Sequence, residues 1–440
     1  MSDRLRTGSL AVAERILDRC DRLGTITSMP GMIERVHLSP EHREANDLAA
    51  GWIAEAGLEA WQDAAGNQCG RLEGAVDGLP ALLLGSHLDT VRDAGRYDGM
   101  LGVLLAIEVA ARIAARDEPL PFALEVVGFS DEEGTRFGSA LAGSRALAGH
   151  FSHDWWEYRG ADGLTYADAS IDFGLDPGRI GAAARRPEAL VGYLEAHIEQ
   201  GPYLEDADRA LAVVPTIAGA RRFALTMTGV AGHAGGTPYA RRRDALVGAS
   251  ELVAAIERIG IESGTIATVG RMQAFPGGVN VIPGRAEFSL DLRAETNEAR
   301  DAAFAEIERT AAEIASRRGL AFTADERYRA DATPCADWLQ DAVEAGIRST
   351  GDDDPMRIWS RAGHDGMAVQ AVTDIAMLFI RCGRGGISHH PDETVARRDV
   401  ALALDAMEAA VLAVADRVRA EPDRLVTPAP PEPHGVGHHA

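Results

Sequence analysis

Two short apolar runs, Ala81 to Ser86 (ALLLGS) and Ala123 to Ser130 (ALEVVGFS), flank a stretch with helical periodicity from Gly99 to Arg116. Continuous apolar runs of this length are the mark of strands covered on both faces. Strand, helix and strand in that order specify a right-handed crossover in a largely parallel sheet. Sheets of this kind bind their ligands beyond the carboxyl ends of the strands, so the residues that follow Ser86 and Ser130 carry the first functional interest. Upstream, Leu10, Ala13, Ile16 and Leu17 recur at helical spacing, and a second helix is expected from about Pro40 to Ala56.

The pattern changes near Val213. Arg221 to Val230 alternates as a half-buried strand and Arg242 to Ile259 reads as an amphipathic helix. Thr265 to Gln273 and Arg285 to Arg293 read as strands, Glu295 to Arg318 as a long helix, and Leu320 to Arg327 as a last strand. The order β-α-β-β-α-β is the ferredoxin-like split unit. Thereafter the first pattern resumes, with a helix at Ala336 to Thr350, a strand at Met377 to Arg381 and a helix at Asp399 to Ala420. The expected architecture is therefore α/β: a discontinuous domain with a mainly parallel central sheet, formed by residues 1–212 and 333–420, with an α+β lid of residues 213–332 inserted. Residues 421–440, rich in Pro and His, are expected to be a disordered tail, and His434, His438 and His439 to be solvated.

Composition narrows the function. The 440 residues are 46% hydrophobic, 25% charged and 5% aromatic, the balance of a globular chain, and their number suggests about three domains or two large ones. With 67 Asp and Glu against 44 Lys and Arg, the formal charge is -23, which repels phosphate backbones and anionic bilayers. Neither nucleic acid nor a membrane is an expected partner. Every positive side chain is Arg, so lysine Schiff bases, P-loop lysines and lysine general bases are excluded. Cys20, Cys69, Cys335 and Cys382 are scattered without metal or redox spacing and are expected to be reduced and mostly buried. The amino terminus has charges every few residues and no apolar h-region, and no apolar stretch is long enough to span a bilayer. The expected location is the cytoplasm.

What remains is a concentration of His and acidic residues at expected strand ends. The Ala81 strand leads into His87-Leu88-Asp89, whose alternation puts His87 and Asp89 on one side, where a carboxylate can fix the tautomer of a metal-ligating histidine. Asp98 precedes the Gly99 helix, where it is equally suited to capping. The Ala123 strand delivers Asp131-Glu132-Glu133, three acids that repel one another unless a cation or an Arg compensates, a solvated turn being the plain alternative. Glu195 to Gly201 (EAHIEQG) puts His197 and Glu199 on one face, and Gly385 to Pro391 (GGISHHP) brings His389 and His390 into a Gly-rich loop. Three histidines and several carboxylates at strand ends, without a cysteine, suit a hydrated dinuclear centre for zinc, manganese or cobalt.

The motifs GSHLDTV with YDGMLGV, FSDEEGTRF, EAHIEQGP, GVAGHAGGTP, PGGVNVIPG followed by DLR, RAGHDGM and GGISHHPDE resemble, in order, the dinuclear metallo-amidohydrolases of the M20 peptidase superfamily. EAHIEQGP is similar to the branch that holds allantoate amidohydrolases, N-carbamoyl-L-amino-acid hydrolases and β-ureidopropionases. The resemblance implies two divalent ions, one held by His87, Asp98 and His197 and one by Asp98, Glu133 and His389, with Asp98 bridging. It further implies Glu132 as general base and Asp89 as the orienter of His87, and on chemical grounds His233, counted among the catalytic residues, and Asn280 are the expected donors to the developing oxyanion. Substrate contacts would come from Gln200, His233, Asn280, Arg293, Gly363 and His364. The lid would also form a homodimer. Arg361 and His390 depart from the usual family pattern, a small residue and Asn or Ser respectively. The leading expectation is an allantoate amidohydrolase, followed by an N-carbamoyl-L-amino-acid hydrolase or β-ureidopropionase. A metal-binding protein on this fold without catalysis is the rival of a different class, and retention of Glu132 with the full ligand set argues against it.

Overall fold

The computed structural model describes residues 6–421, so the expected disordered tail lies, beyond Glu421, outside the described residues. Two compact units emerge. Of the described residues, the first contains 6–215, Cys335–Ile358 and 363–421; the second contains Thr216–Pro334 and Trp359–Ala362. The expected boundaries at 213 and 333 thus move to 216 and 335. The short return at Trp359–Ala362 was not foreseen, because it rests on remote backbone hydrogen bonds: Ser360 N donates to Thr216 O at 2.8 Å and Ala218 N to Ser360 O at 2.9 Å.

An eight-stranded sheet forms the first unit, in the order Glu59–Gln62, Gln68–Leu72, Ala123–Phe129, Ala81–His87, Leu190–Ile198, Ile375–Ile380, Leu211–Val214, Met356–Arg357. Its four central members run parallel. Antiparallel pairings join Gln68–Leu72 to Ala123–Phe129 and Leu211–Val214 to Ile375–Ile380. Every residue of Ala81–His87, Ala123–Phe129 and Leu190–Ile198 is buried, as continuous apolar runs demand. At about 1.5–3 kcal/mol for each fully buried Leu, Val or Phe, these runs hold the strand ends firmly. The helix Met100–Ala114 is buried on nearly all sides and packs on the central strands and on the helices Ser9–Gly24 and Arg397–Ala420. After Ala123–Phe129 pairs on one side of Ala81–His87, the chain returns with Leu190–Ile198 on the other, which makes a topological switch point at their carboxyl ends.

The second unit carries an antiparallel sheet in which Gly219–Thr228 lies between Arg285–Ala294 and Ala321–Ala330, with Ile266–Thr268 and Met272–Phe275 on the far side of Arg285–Ala294. This is the strand order of a ferredoxin-like unit. Phe223, Leu225 and Met227 alternate inward with Phe288, Leu290 and Leu292 against the helices Ala245–Ser263 and Asn297–Arg318. Both helices begin two or three residues later than periodicity suggests. Asp244 accepts from the amides of Leu246 and Val247, and Thr296 from that of Ala299, so each start is set by its cap. The expected strand Thr265 to Gln273 is broken in two. Thr268 pairs with Asp291 and Met272 with Phe288, which leaves one extra residue on the outer side, a β-bulge.

All four cysteines are free and buried. Among the described residues, no helix is long and apolar enough to cross a membrane.

Candidate metal centre

His87 closes the strand Ala81–His87, Asp131-Glu132-Glu133 follows Ala123–Phe129, His197 stands near the end of Leu190–Ile198, and His389 lies in the loop after Ile375–Ile380. Four parallel strands thus point their carboxyl ends at one spot. Asp98 completes it. The capping alternative for Asp98 fails, because Gly99 (φ +70°) occupies the N-cap of Met100–Ala114 without a side-chain cap. The Asp98 carboxylate turns instead to the histidines. Its Oδ1 is 3.6 Å from Nε2 of His87 and 3.2 Å from Nε2 of His197, while its Oδ2 is 3.0 Å from Nε2 of His389. Nε2 of His389 is also 3.4 Å from Oε1 of Glu133.

Each oxygen of Asp98 therefore faces a different triad: His87, Asp98, His197 on one side and Asp98, Glu133, His389 on the other, each with its ligand atoms within 4.8 Å of one another. The same limit groups His87 with Glu132 and Glu133. His390 is not part of the cluster; its Nδ1 accepts from the amide of Asp392 at 3.1 Å, closing a turn.

Two backbone carbonyls set the ring orientations. His87 Nδ1 lies 3.0 Å from the carbonyl of Asp89 and His197 Nδ1 2.9 Å from that of Ile198, which leaves Nε2 of each ring as the free ligand atom. Asp89, the residue expected to orient His87, makes its short contact with that ring through its backbone carbonyl. Its carboxylate stands 3.7 Å from His87 Nδ1 and is engaged by the amides of Glu132 at 3.0 Å and Glu133 at 3.2 Å, so it ties the acidic turn to the His87 strand end.

A buried cluster this acidic calls for positive charge. Burial opposes the ionised form of Asp98, yet the surrounding His197, His389 and His87 hold it well below the usual carboxylate range. Asp98 and then Glu133 draw His389 up to about 9 against its own burial. Burial, followed by the charge of Asp98, pushes Glu133 up to about 7. For Glu132, burial, Glu133, Asp365 and Asp89 push the carboxyl well above the usual range, with His87 pulling the other way. Moreover, Nε2 of His197 is buried without a hydrogen-bond partner among the described residues, although Asp98 is close. Divalent cations fit this donor set of imidazoles and carboxylates, since they would replace the charge and occupy the orphaned nitrogen.

The remaining expected residues divide between the units. Gln200, in a left-handed conformation (φ +56°), sends Nε2 to Asp98 Oδ2 at 3.1 Å and to Ser388 Oγ at 3.2 Å, so it touches the shared carboxylate. His364 is buried with its ring edge-on to His197 at 4.5 Å, and Gly363 beside it is exposed. In the second unit, His233 and Asn280 are neighbours on a short ribbon, where Ala234 N donates to Asn280 O at 2.9 Å. Both are exposed. Arg293 is half-buried and its guanidinium is engaged by Asp291 at 2.7 Å and by the carbonyl of Arg361 at 2.7 Å.

Sequence reasoning passed over Glu195, fully buried, whose Oε1 accepts from Ser86 Oγ at 3.0 Å and which groups with His197 and His364. The period of two that linked His197 to Glu199 reaches Glu195 as well. Glu199 itself caps a short helix, accepting from the amides of Tyr203 and Leu204 at 2.8 Å each.

Comparison with known proteins matches residues 83–413 to the peptidase family M20/M25/M40. An N-carbamoyl-L-amino acid amidohydrolase of Geobacillus stearothermophilus is 38% identical over 396 residues, covering 90% of this chain and 96% of that protein. A probable allantoate deiminase of Oryza sativa subsp. japonica is 36% identical over 416 residues, covering 87% and 84%. Among solved structures, an amidase of the hydantoinase/carbamoylase family from Burkholderia multivorans superposes with a TM-score of 0.83 at 32% identity, covering 94% of this chain and 99% of that one.

Proposed function

The chain belongs to peptidase family M20/M25/M40 and is a metal-dependent amidohydrolase, and we propose that the bond it breaks is the ureido (N-carbamoyl) C–N bond of a small carboxylate. The observation that carries this reading is the pair of ligand triads sharing Asp98, with Glu132 beside them. A ureido carbonyl is deactivated by two nitrogens, and unaided water attacks it very slowly. Two divalent ions, zinc, manganese or cobalt, held by His87, Asp98 and His197 and by Asp98, Glu133 and His389, would acidify a water and polarise the carbonyl oxygen. Glu132 takes the proton of the attacking water on its carboxylate and passes it to the departing nitrogen. Asp89 holds the turn that carries Glu132 through the amide it accepts. Ammonia leaves, and the carbamate that remains loses carbon dioxide.

His233 and Asn280 are the donors proposed for the developing oxyanion, and Arg293, Gln200, Gly363 and His364 for the rest of the substrate. In this reading the second unit is a lid through which two copies pair as a homodimer. Allantoate is the first substrate to test, yielding ureidoglycine, ammonia and carbon dioxide. N-carbamoyl-L-amino acids form the second reading, favoured by the identity and coverage of the Geobacillus relative. Initial rates of ammonia release from allantoate, N-carbamoyl-L-amino acids and N-carbamoyl-β-alanine, measured on metal-reconstituted protein, separate them. Turnover of none of the three would favour the non-catalytic rival.

A further inference from the structure

The two loops that bring Asp98 and His389 together are joined by a third residue that neither triad contains. Glu393 is 4% exposed. Its Oε1 accepts from the backbone amides of Tyr97 at 2.7 Å and Asp98 at 3.2 Å, 296 and 295 positions away, and its Oε2 accepts from Ser388 Oγ at 2.8 Å. Ser388 immediately precedes His389. The same hydroxyl lies 3.4 Å from Asp98 Oδ2, and Gln200 Nε2 reaches both that hydroxyl at 3.2 Å and Asp98 Oδ2 at 3.1 Å. Packing leaves the carboxylate little freedom, for a Cβ on Gly95 would meet Glu393 Oε1 at 2.2 Å. The base of its own loop is pinned as well, by Gly383 N donating to Thr394 O at 2.9 Å and by a β-bridge between Cys382 and Val395.

We propose that Glu393 is a positioning residue which sets the distance between Asp98 and His389, and so the affinity of the metal they would share with Glu133. The two amides engage only Oε1, and the partner that satisfies Oε2 is the hydroxyl next to His389. Here a single side chain spans the gap between the turn that carries one ligand and the loop that carries another. Outer partners that orient ligands commonly govern affinity in this way. The inference rests on the reading of the cluster as a metal centre.

Metal dissociation constants, measured by competition with a chromophoric chelator using Zn²⁺ and Co²⁺, test it without reference to turnover. Glu393→Ala should bind the metal shared by Asp98, Glu133 and His389 about 10- to 100-fold more weakly, while Glu393→Gln should stay within about 3-fold of wild type. Gln preserves the acceptor for both amides and can donate to Ser388 Oγ, so it keeps the geometry without the charge. Wild-type affinity in folded Glu393→Ala, or a Gln variant as weak as Ala, overturns the proposal. Should Glu393→Ala fail to fold, Ser388→Ala cuts the same link from the other side; a weaker metal supports the proposal, and unchanged affinity overturns it. Glu133→Ala is the control. If it too binds both metals as wild type does, the metal-centre reading falls, and if it alone loses metal, only the role of Glu393 falls.

Discussion

Gly99 lies so close to the imidazole of His87 that a Cβ at that position would sit 2.4 Å from Nε2, the nitrogen turned towards Asp98. Its φ of +70° also disfavours any side chain. Gly99→Ala is therefore expected to push the His87 ring out of its triad. Metal content, measured by elemental analysis, should fall, and kcat/KM with it. A variant with full metal content and wild-type activity would show that His87 is not held from beneath by this turn.

Glu132 and Glu133 are neighbours to which the proposed function gives different tasks. Glu132→Gln should retain metal and lose about 10²- to 10⁴-fold in kcat, the usual contribution of a general acid–base group. Glu133→Ala should lose metal as well. Elemental analysis beside steady-state kinetics decides the matter, and turnover of Glu132→Gln at the wild-type rate would refute the assigned proton carrier.

The loop that bears His389 packs against the main chain after His197. A Cβ on Gly386 (φ +73°) would fall 1.9 Å from the carbonyl carbon of Gly201. Gly386→Ala should lift the loop and weaken the metal that His389 would hold, at a stability cost of at least about 1–3 kcal/mol from backbone strain alone. Thermal melts and metal titration together check this, and unchanged values in both would contradict it.

Arg293 is already gripped by Asp291 and by the carbonyl of Arg361, the arrangement of a structural ion pair. The same grip would hold a guanidinium fork ready for a substrate carboxylate. Arg293→Lys keeps the charge but not the fork, so KM for an acid substrate should rise markedly with little change in kcat. An amide analogue lacking the carboxylate should lose little more in the variant. Equal KM values on the acid substrate would confine Arg293 to its ion pair.

The proposed pairing through the second unit is checked by light scattering at micromolar concentration, where a dimer is expected. If His233 serves the partner's centre, mixing inactive His233→Ala with inactive Glu132→Gln should restore part of the activity. A monomeric protein would end that proposal.

The sequence made the central strands readable because Ala81–His87 and Ala123–Phe129 are buried on both faces, a constraint that writes itself as an apolar run. Residues at the ends of those runs, His87, Glu132 and Glu133, were conspicuous for the same reason. Asp98 was ambiguous, since a carboxylate before a helix suits a cap as well as a ligand; only the conformation of Gly99 decides between them. Glu393 closes the GGISHHPDE motif, which says nothing of its partners at Tyr97 and Asp98, and Arg35 carries no signal. Arg35 is fully buried, and its guanidinium bonds to the carbonyls of Leu88 at 2.8 Å and Leu23 at 2.9 Å, partners 53 and 12 positions away. No periodicity encodes such contacts, because they depend on how distant segments meet. The bulge that divides Ile266–Thr268 from Met272–Phe275 was hidden likewise, as one extra residue leaves the alternation on either side intact.

The most direct test of the account is to strip the protein with EDTA, confirm by elemental analysis that it is metal-free, and titrate Mn²⁺, Co²⁺ or Zn²⁺ back while following ammonia release from allantoate and N-carbamoyl-L-amino acids. Activity should be absent in the stripped protein and should rise to a plateau at about two equivalents per chain, as a two-metal centre requires. Ammonia release at the wild-type rate from metal-free protein would contradict it.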